Sequence, residues 1–317
     1  MTMNHSLATA PETGTADAAP FLRLPNVTAL YARRAARLRK LAQGHGMASY
    51  LRCVANIAAA QHKAAASLPP PAAPDPAILQ RSLDCGAPPY SRNRLRLDPA
   101  WHMRLNTIIK AFKETQAPEP AREALICLGS MSFAAREKLA HRFLLGEIAD
   151  ENLAKAMFVA AALGVYWAGM TRGVRLSQVQ KPAAGFVGVC PICGSPPVGS
   201  VLESGPDGVR YLHCSLCDAE WRYTPARCAS CRSAKNCQSS KNCQPARRLA
   251  YLGFERDLGP VRAECCGECG TYLKALNLAE VPDCDVLADD LATLDLDYNL
   301  AGEGLQRYGY NPFLLKR

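Results

Sequence analysis

The chain has 317 residues, about half of them apolar, with a formal net charge of +9 and fifteen cysteines. That length sets an expectation of about two domains and a sizeable core. The cysteine count is odd, and residues 1–20 show no basic stretch followed by an apolar one. These features argue against a complete disulfide framework and a secretory leader, and point to a reducing, cytoplasmic setting.

Residues 1–20 are small and polar and read as a disordered leader. From Asn26 to Gln43, Val27, Leu30, Tyr31, Leu38 and Leu41 recur at helical spacing, with Gly44 as a stop. Arg33, Arg34, Arg37 and Arg39 cover the rest of that helix and read as a solvated face. A second helix runs from Met47 to Ser67. Pro69, Pro70 and Pro71 break it and open a stiff extended linker. Further helices are predicted over 97–115, 119–130 and 132–145, with Pro118 and Pro120 suited to the entry of the middle one. The stretch from Ala156 to Met170 is the most apolar, yet it is too short for a membrane span and holds two glycines. It predicts the buried central helix of a bundle, with Asp150 and Glu151 at its positive dipole end. Residues 21–182 therefore read as an all-helical domain with no membrane insertion, and Gly185 marks its boundary.

Four Cys-x-x-Cys pairs follow: Cys190/Cys193, Cys214/Cys217, Cys228/Cys231 and Cys266/Cys269. Each such turn brings two sulfurs close enough to share an ion, and two turns complete a tetrahedral four-thiolate shell. The intervals between pairs are 20, 10 and 34 residues. The short middle interval reads as the link between two sites. Cys190, Cys193, Cys214 and Cys217 form the first, and Cys228, Cys231, Cys266 and Cys269 the second. Gly194 and Gly270 follow second cysteines, where glycine tolerates positive φ. At the same place in another pair, positive φ at Arg232 would cost about 1 kcal/mol. Strand-like runs at 198–202 and 208–212, with a turn at Gly205-Pro206-Asp207-Gly208, make a hairpin inside the first module. The modules span 183–225 and 226–275.

Zinc and iron both accept four thiolates, so either metal suits each site. A closed shell leaves no open position for hydrolysis, and no nucleophile–base pair or phosphate loop is apparent. This predicts a non-enzymatic protein. A rubredoxin-like one-electron carrier is the alternative, and a zinc-ribbon nucleic-acid binder a weaker one. Ten Lys/Arg face four Asp/Glu between residues 210 and 262. The negative cages offset much of that excess, so nucleic acid is not an expected partner.

His213 beside Cys214 is not needed as a ligand where the cysteine set is complete. Cys265 cannot easily share the ligand direction of Cys266. The near-repeat at 233–238 and 239–244, carrying Cys237 and Cys243, reads as a duplicated surface loop. Residues 277–306 hold eight acids and no basic residue. Leu287, Ala288, Leu291 and Leu294 form a helical stripe there, with the acids as its solvated face. The apolar tail Asn311-Pro312-Phe313-Leu314-Leu315 is expected to dock. Together these give a helical N-terminal bundle, two rubredoxin-like or zinc-ribbon modules with small β content, and a C-terminal helix and tail over 276–317.

Several of these segments resemble one family. They are Pro20-Phe21-Leu22-Arg23-Leu24-Pro25, residues 190–198, residues 210–217, Glu220-Trp221, Cys228-Ala229-Ser230-Cys231, residues 266–274, Ala288-Asp289-Asp290-Leu291-Ala292 and Asn311-Pro312-Phe313. In this order they are similar to the cytoplasmic formate dehydrogenase accessory proteins, FdhE. The resemblance implies two rubredoxin-like modules held by the eight knuckle cysteines. It also implies a role in activating the molybdenum-containing catalytic subunit of respiratory formate dehydrogenase. A homodimer is compatible with it. Arg222 stands where the family commonly has histidine, and the doubled loop at 233–244 is a departure.

Overall fold

The structure, a computed structural model, describes residues 19–94, 96–175, 179, 188–203, 209–224, 227–232, 250–252 and 261–314. Gly185, the turn glycines Gly205 and Gly208, and the doubled loop with Cys237 and Cys243 lie outside them.

The helical domain is made by α1 (Val27–Leu41), α2 (Ala48–Ser67), α3 (Pro76–Asp84), α4 (Ala100–Lys113), α5 (Glu119–Ser130), α6 (Phe133–Leu145) and α7 (Leu153–Met170). Apart from α3, all follow the predicted segments closely. Where a continuous linker was expected, α3 begins at Asp75, whose carboxylate accepts from Ala77 N at 2.7 Å, with Pro76 at the first helical position. That cap satisfies an otherwise orphaned N–H, and proline there lacks a donor the helix does not use. A short 3-10 turn, Asp150–Asn152, leads into α7. Helices α2, α4, α5 and α6 pack around α7.

Every residue of α7 from Ala156 to Met170 is buried. The segment Asp150–Gly173 is long and apolar enough to cross a membrane, but 83% of its apolar window lies inside the protein. Helices surround it, so a one-sided polar stripe has no place on it. Small residues set its close approaches: a Cβ on Gly169 would sit 2.7 Å from Pro71. The triple-proline segment therefore lies directly against the central helix.

The remaining chain forms one mixed sheet from β1 (Leu22–Arg23), β2 (Pro197–Leu202), β3 (Arg210–Cys214), β4 (Glu220–Arg222), β5 (Ala250–Leu252), β6 (Val261–Cys265), β7 (Thr271–Asn277) and β8 (Gln306–Arg307). Its order is β1-β4-β3-β2-β7-β6-β5, with β8 on β7. Strands β2–β4 belong to the first cysteine module and β5–β7 to the second. The parallel pairing of β2 with β7, Ser200 opposite Ala275, joins the two edge to edge. The Pro20–Pro25 motif supplies β1, Leu22 opposite Trp221 on β4, so the chain start closes one sheet edge.

The C-terminal segment forms two short helices, α8 (Val286–Leu291) and α9 (Leu294–Gly302). Two expectations fail here. The arginines of α1 are not all a solvated face: Arg34 and Arg37 are buried. The acids at 289 and 290 are not solvated either, being 2% and 0% exposed. The two sets of charges meet. Arg34 binds Asp285 at 3.0 Å, and Arg37 binds Asp289 at 2.5 Å and Asp283 at 3.1 Å. Asp290 meets Lys274 of β7 at 3.3 Å and Arg307 at 2.6 Å, and Asn311 donates to it at 2.8 Å. A periodicity reading places charges outward by default; partners far apart in sequence reverse that here. The tail docks as expected, with Phe313 buried and its carbonyl accepting from the Tyr50 hydroxyl.

Candidate metal centres

The structure gathers all eight predicted cysteines into the two predicted groups. Within each group the four sulfurs lie within 4.8 Å of one another. The knuckles sit at the ends of strands in the shared sheet: β2 follows the first, β3 leads into the second, and β6 and β7 flank the fourth.

The same turn recurs at all four knuckles. The residue after the second cysteine is left-handed in each: Gly194 at φ +72°, Asp218 at +57°, Arg232 at +66° and Gly270 at +66°. That geometry returns the chain on itself. The N–H of Gly194 reaches Cys190 O at 2.9 Å, Arg232 reaches Cys228 O at 3.1 Å, and Gly270 reaches Cys266 O at 2.9 Å. It also frees N–H groups for the sulfurs: Ile192 N donates to Cys190 Sγ, and Leu216 N to Cys214 Sγ, each at 3.4 Å. Donors aimed at sulfur stabilise thiolates, which are the metal-binding form.

The residues fit a tetrahedral ion. A metal–sulfur distance of about 2.3 Å places tetrahedral sulfurs about 3.8 Å apart. The first cage has Cys190–Cys217 at 3.6 Å and Cys193–Cys214 at 3.4 Å, and the second has Cys228–Cys269 at 3.8 Å and Cys231–Cys266 at 3.7 Å. A disulfide requires about 2.05 Å. Burial and the neighbouring sulfurs push Cys214 and Cys217 well up, while Cys193 is held down against burial by hydrogen bonds from Cys190, Cys214 and Cys217. Four buried thiols cannot all ionise without a cation among them.

His213 is not a ligand. Its Nε2 faces Asp218 and its Nδ1 faces Glu220, both at 3.1 Å. Burial opposes the charged ring, but these two carboxylates raise it to about 10. Asp218 also takes Arg34 at 2.7 Å, so the left-handed residue of one knuckle anchors α1. This contact was not anticipated; the only sequence signal was an aspartate in a position that elsewhere holds glycine. Cys265 is buried next to Cys266 but directs its sulfur to Ala263 O at 3.8 Å, away from the cage.

The FdhE N-terminal family model matches residues 19–184, the central model 189–224 and the C-terminal model 226–314. This chain belongs to the FdhE family. An FdhE homologue of Edwardsiella ictaluri is 38% identical over 301 residues, covering 93% of this chain and 91% of that protein. Protein FdhE of Salmonella enteritidis is 36% identical over 317 residues, covering 96% and 94%. The crystal structure of the FdhE protein from Pseudomonas aeruginosa superposes with a TM-score of 0.80 at 33% identity, covering 94% of this chain and 99% of that one. The segments 20–25, 288–292 and 311–313 close the sheet edge, bury the paired aspartates and dock the tail.

Proposed function

We propose that this FdhE-family chain is a cytoplasmic accessory protein of respiratory formate dehydrogenase. It binds the immature molybdenum-containing catalytic subunit through a scaffold held by two four-cysteine metal sites, and performs no catalysis itself. Membership of the family over nearly the whole chain carries the reading. The two cages support it: a four-cysteine shell supplies folding energy to a small sheet and, with all four sulfurs bound, has no open position at which to activate water. A co-purification of tagged chain with the catalytic subunit tests it directly. Retention of the subunit, together with loss of formate oxidation on deletion of the gene, is the expected result. No retention and unchanged formate oxidation would overturn it.

A rubredoxin-like electron carrier is the second reading, favoured by the surface position of Cys231 and Cys269. Iron in either cage supplies one-electron chemistry when bound, and zinc supplies none. Anaerobically purified protein that contains zinc alone and shows no reducible visible band removes this reading and leaves the first intact.

A further inference from the structure

The four cysteines of the first cage are each 0% exposed. Their knuckles are also tied into the helical domain. Tyr90 N donates to Ile192 O at 2.8 Å, and Arg92 N to Cys193 O at 2.9 Å, so a strap of chain lies along the first knuckle. That strap is held in turn by Trp167 of α7, whose indole N–H donates to Tyr90 O at 3.0 Å. The second knuckle lies against α7 at Gly164, where Leu216 O would be 3.7 Å from an added Cβ, and Asp218 is locked by Arg34.

The second cage differs in the exposure of its ligands. Cys228 and Cys266 are buried at 5% and 3% exposure, while Cys231 is exposed and Cys269 reaches the surface. Gly267 and Glu268 between the last two ligands are exposed, and among the described residues nothing lies within 4 Å of the Cβ position at Gly270. The Cys269 sulfur has Thr271 Oγ1 at 3.0 Å, a donor that survives removal of the ion. Each knuckle of this cage thus contributes one ligand residue at an exposed position, where the first cage contributes none.

We propose that the second cage is the exchangeable, ligand-accepting metal centre of this protein and that the first is a fixed structural one. An incoming soft donor, such as a thiolate, forms one bond to the ion as the bond to Cys231 or Cys269 breaks, and the displaced sulfur takes up a proton. No electron moves. The inference rests on reading both cages as metal sites; protein that purifies anaerobically with no metal removes that reading, whereas the kinetics below decide only the division between cages.

The test uses full-length protein loaded with two equivalents of zinc and mixed with the chromophoric chelator 4-(2-pyridylazo)resorcinol. One equivalent should leave about tenfold or more faster than the other, since local opening is cheapest where little is packed. In parallel, brief iodoacetamide treatment and peptide mass mapping should label Cys231 and Cys269 ahead of Cys190, Cys193, Cys214 and Cys217. Cys231→Ser should abolish the fast phase and keep the slow one. A single phase of two equivalents, or early labelling of the first four cysteines, would overturn the assignment. The labelling pattern decides the matter even if the variant fails to fold.

Discussion

In the first half of the sheet, a four-sulfur cage is buried against α7 and bound to α1 through Asp218 and Arg34. In the second half, the same turn with similar sulfur spacing stands half open to solvent. Local sequence sets the cage; what packs behind it sets its consequence for the fold. An ion in the first cage would tie the sheet to the helical bundle, and one in the second would hold a knuckle at the protein surface. The largest expected effect follows from this contrast. Structural zinc contributes roughly 10–16 kcal/mol of apparent binding energy to small domains, and the first cage packs against the bundle through α7 and Arg34. Cys193→Ser should give insoluble or proteolytically labile protein. Cys231→Ser should remain soluble, with helical circular dichroism and a bundle melting transition close to wild type. Equal damage from both would break the comparison.

The next effect concerns the bridge between halves. Arg34 is buried between Asp218 at 2.7 Å and Asp285 at 3.0 Å. Burial disfavours its charge, but those two carboxylates hold it fully protonated. Arg34→Ala removes the only cation whose ion pairs span the first knuckle module and the start of α8 among the described residues, leaving Asp218 with His213 and Asp285 with no other ion pair among those residues. Breaking such a set on one side costs about 3–5 kcal/mol. Urea unfolding at neutral pH measures it. A loss below about 1 kcal/mol, the value of an exposed pair, would show that the arginine is not a bridge.

The second half has its own buried cation, with redundant support. Lys274 on β7 lies 3.3 Å from Asp290 and 2.5 Å from Asp297, but Arg307 also reaches both, at 2.6 and 2.8 Å. Lys274→Met keeps the volume of the stem and leaves each aspartate a cation. Its cost should fall to about 1–3 kcal/mol, smaller than for Arg34→Ala in the same urea series. The reverse order would mean that the C-terminal helices, not α1, form the stronger clamp.

These buried ion pairs are also where sequence and structure part. The cysteine knuckles were legible because the two ligands of each pair are close neighbours in the chain, and the chemistry of tetrahedral thiolates constrains how pairs combine. The bundle helices were legible from apolar periodicity, down to the central position of Ala156–Met170. Arg34 and Asp285 are 251 residues apart, and nothing local distinguishes either from a solvated charge. The edge strand β1 is two residues long and has no period to detect. The parallel β2–β7 pairing joins segments that each make sense as part of a separate hairpin. Helix α3 was readable from Asp75-Pro76, but the preceding prolines masked that cap signal.

The smallest effect isolates the backbone from everything else. Asp218 and Arg232 adopt nearly the same left-handed conformation, φ +57° and +66°, at equivalent positions in the two cages. A non-glycine residue there costs about 1–2 kcal/mol, and glycine recovers it less about 0.4–1 kcal/mol of unfolded-state entropy. Arg232 is exposed but its side chain makes an interaction of its own, so glycine is compared with alanine, which removes that interaction equally. Arg232→Gly should exceed Arg232→Ala in urea unfolding of the zinc-loaded protein, by about 0.5–1 kcal/mol in stability. Asp218→Gly relieves the same strain but removes the carboxylate that pairs with Arg34 and His213, so its net sign should be destabilising. Two changes with one backbone effect and different outcomes separate turn geometry from what lies behind the turn. If Arg232→Gly is no more stable than Arg232→Ala, left-handed strain is not what that position carries, and the contrast between the cages weakens there.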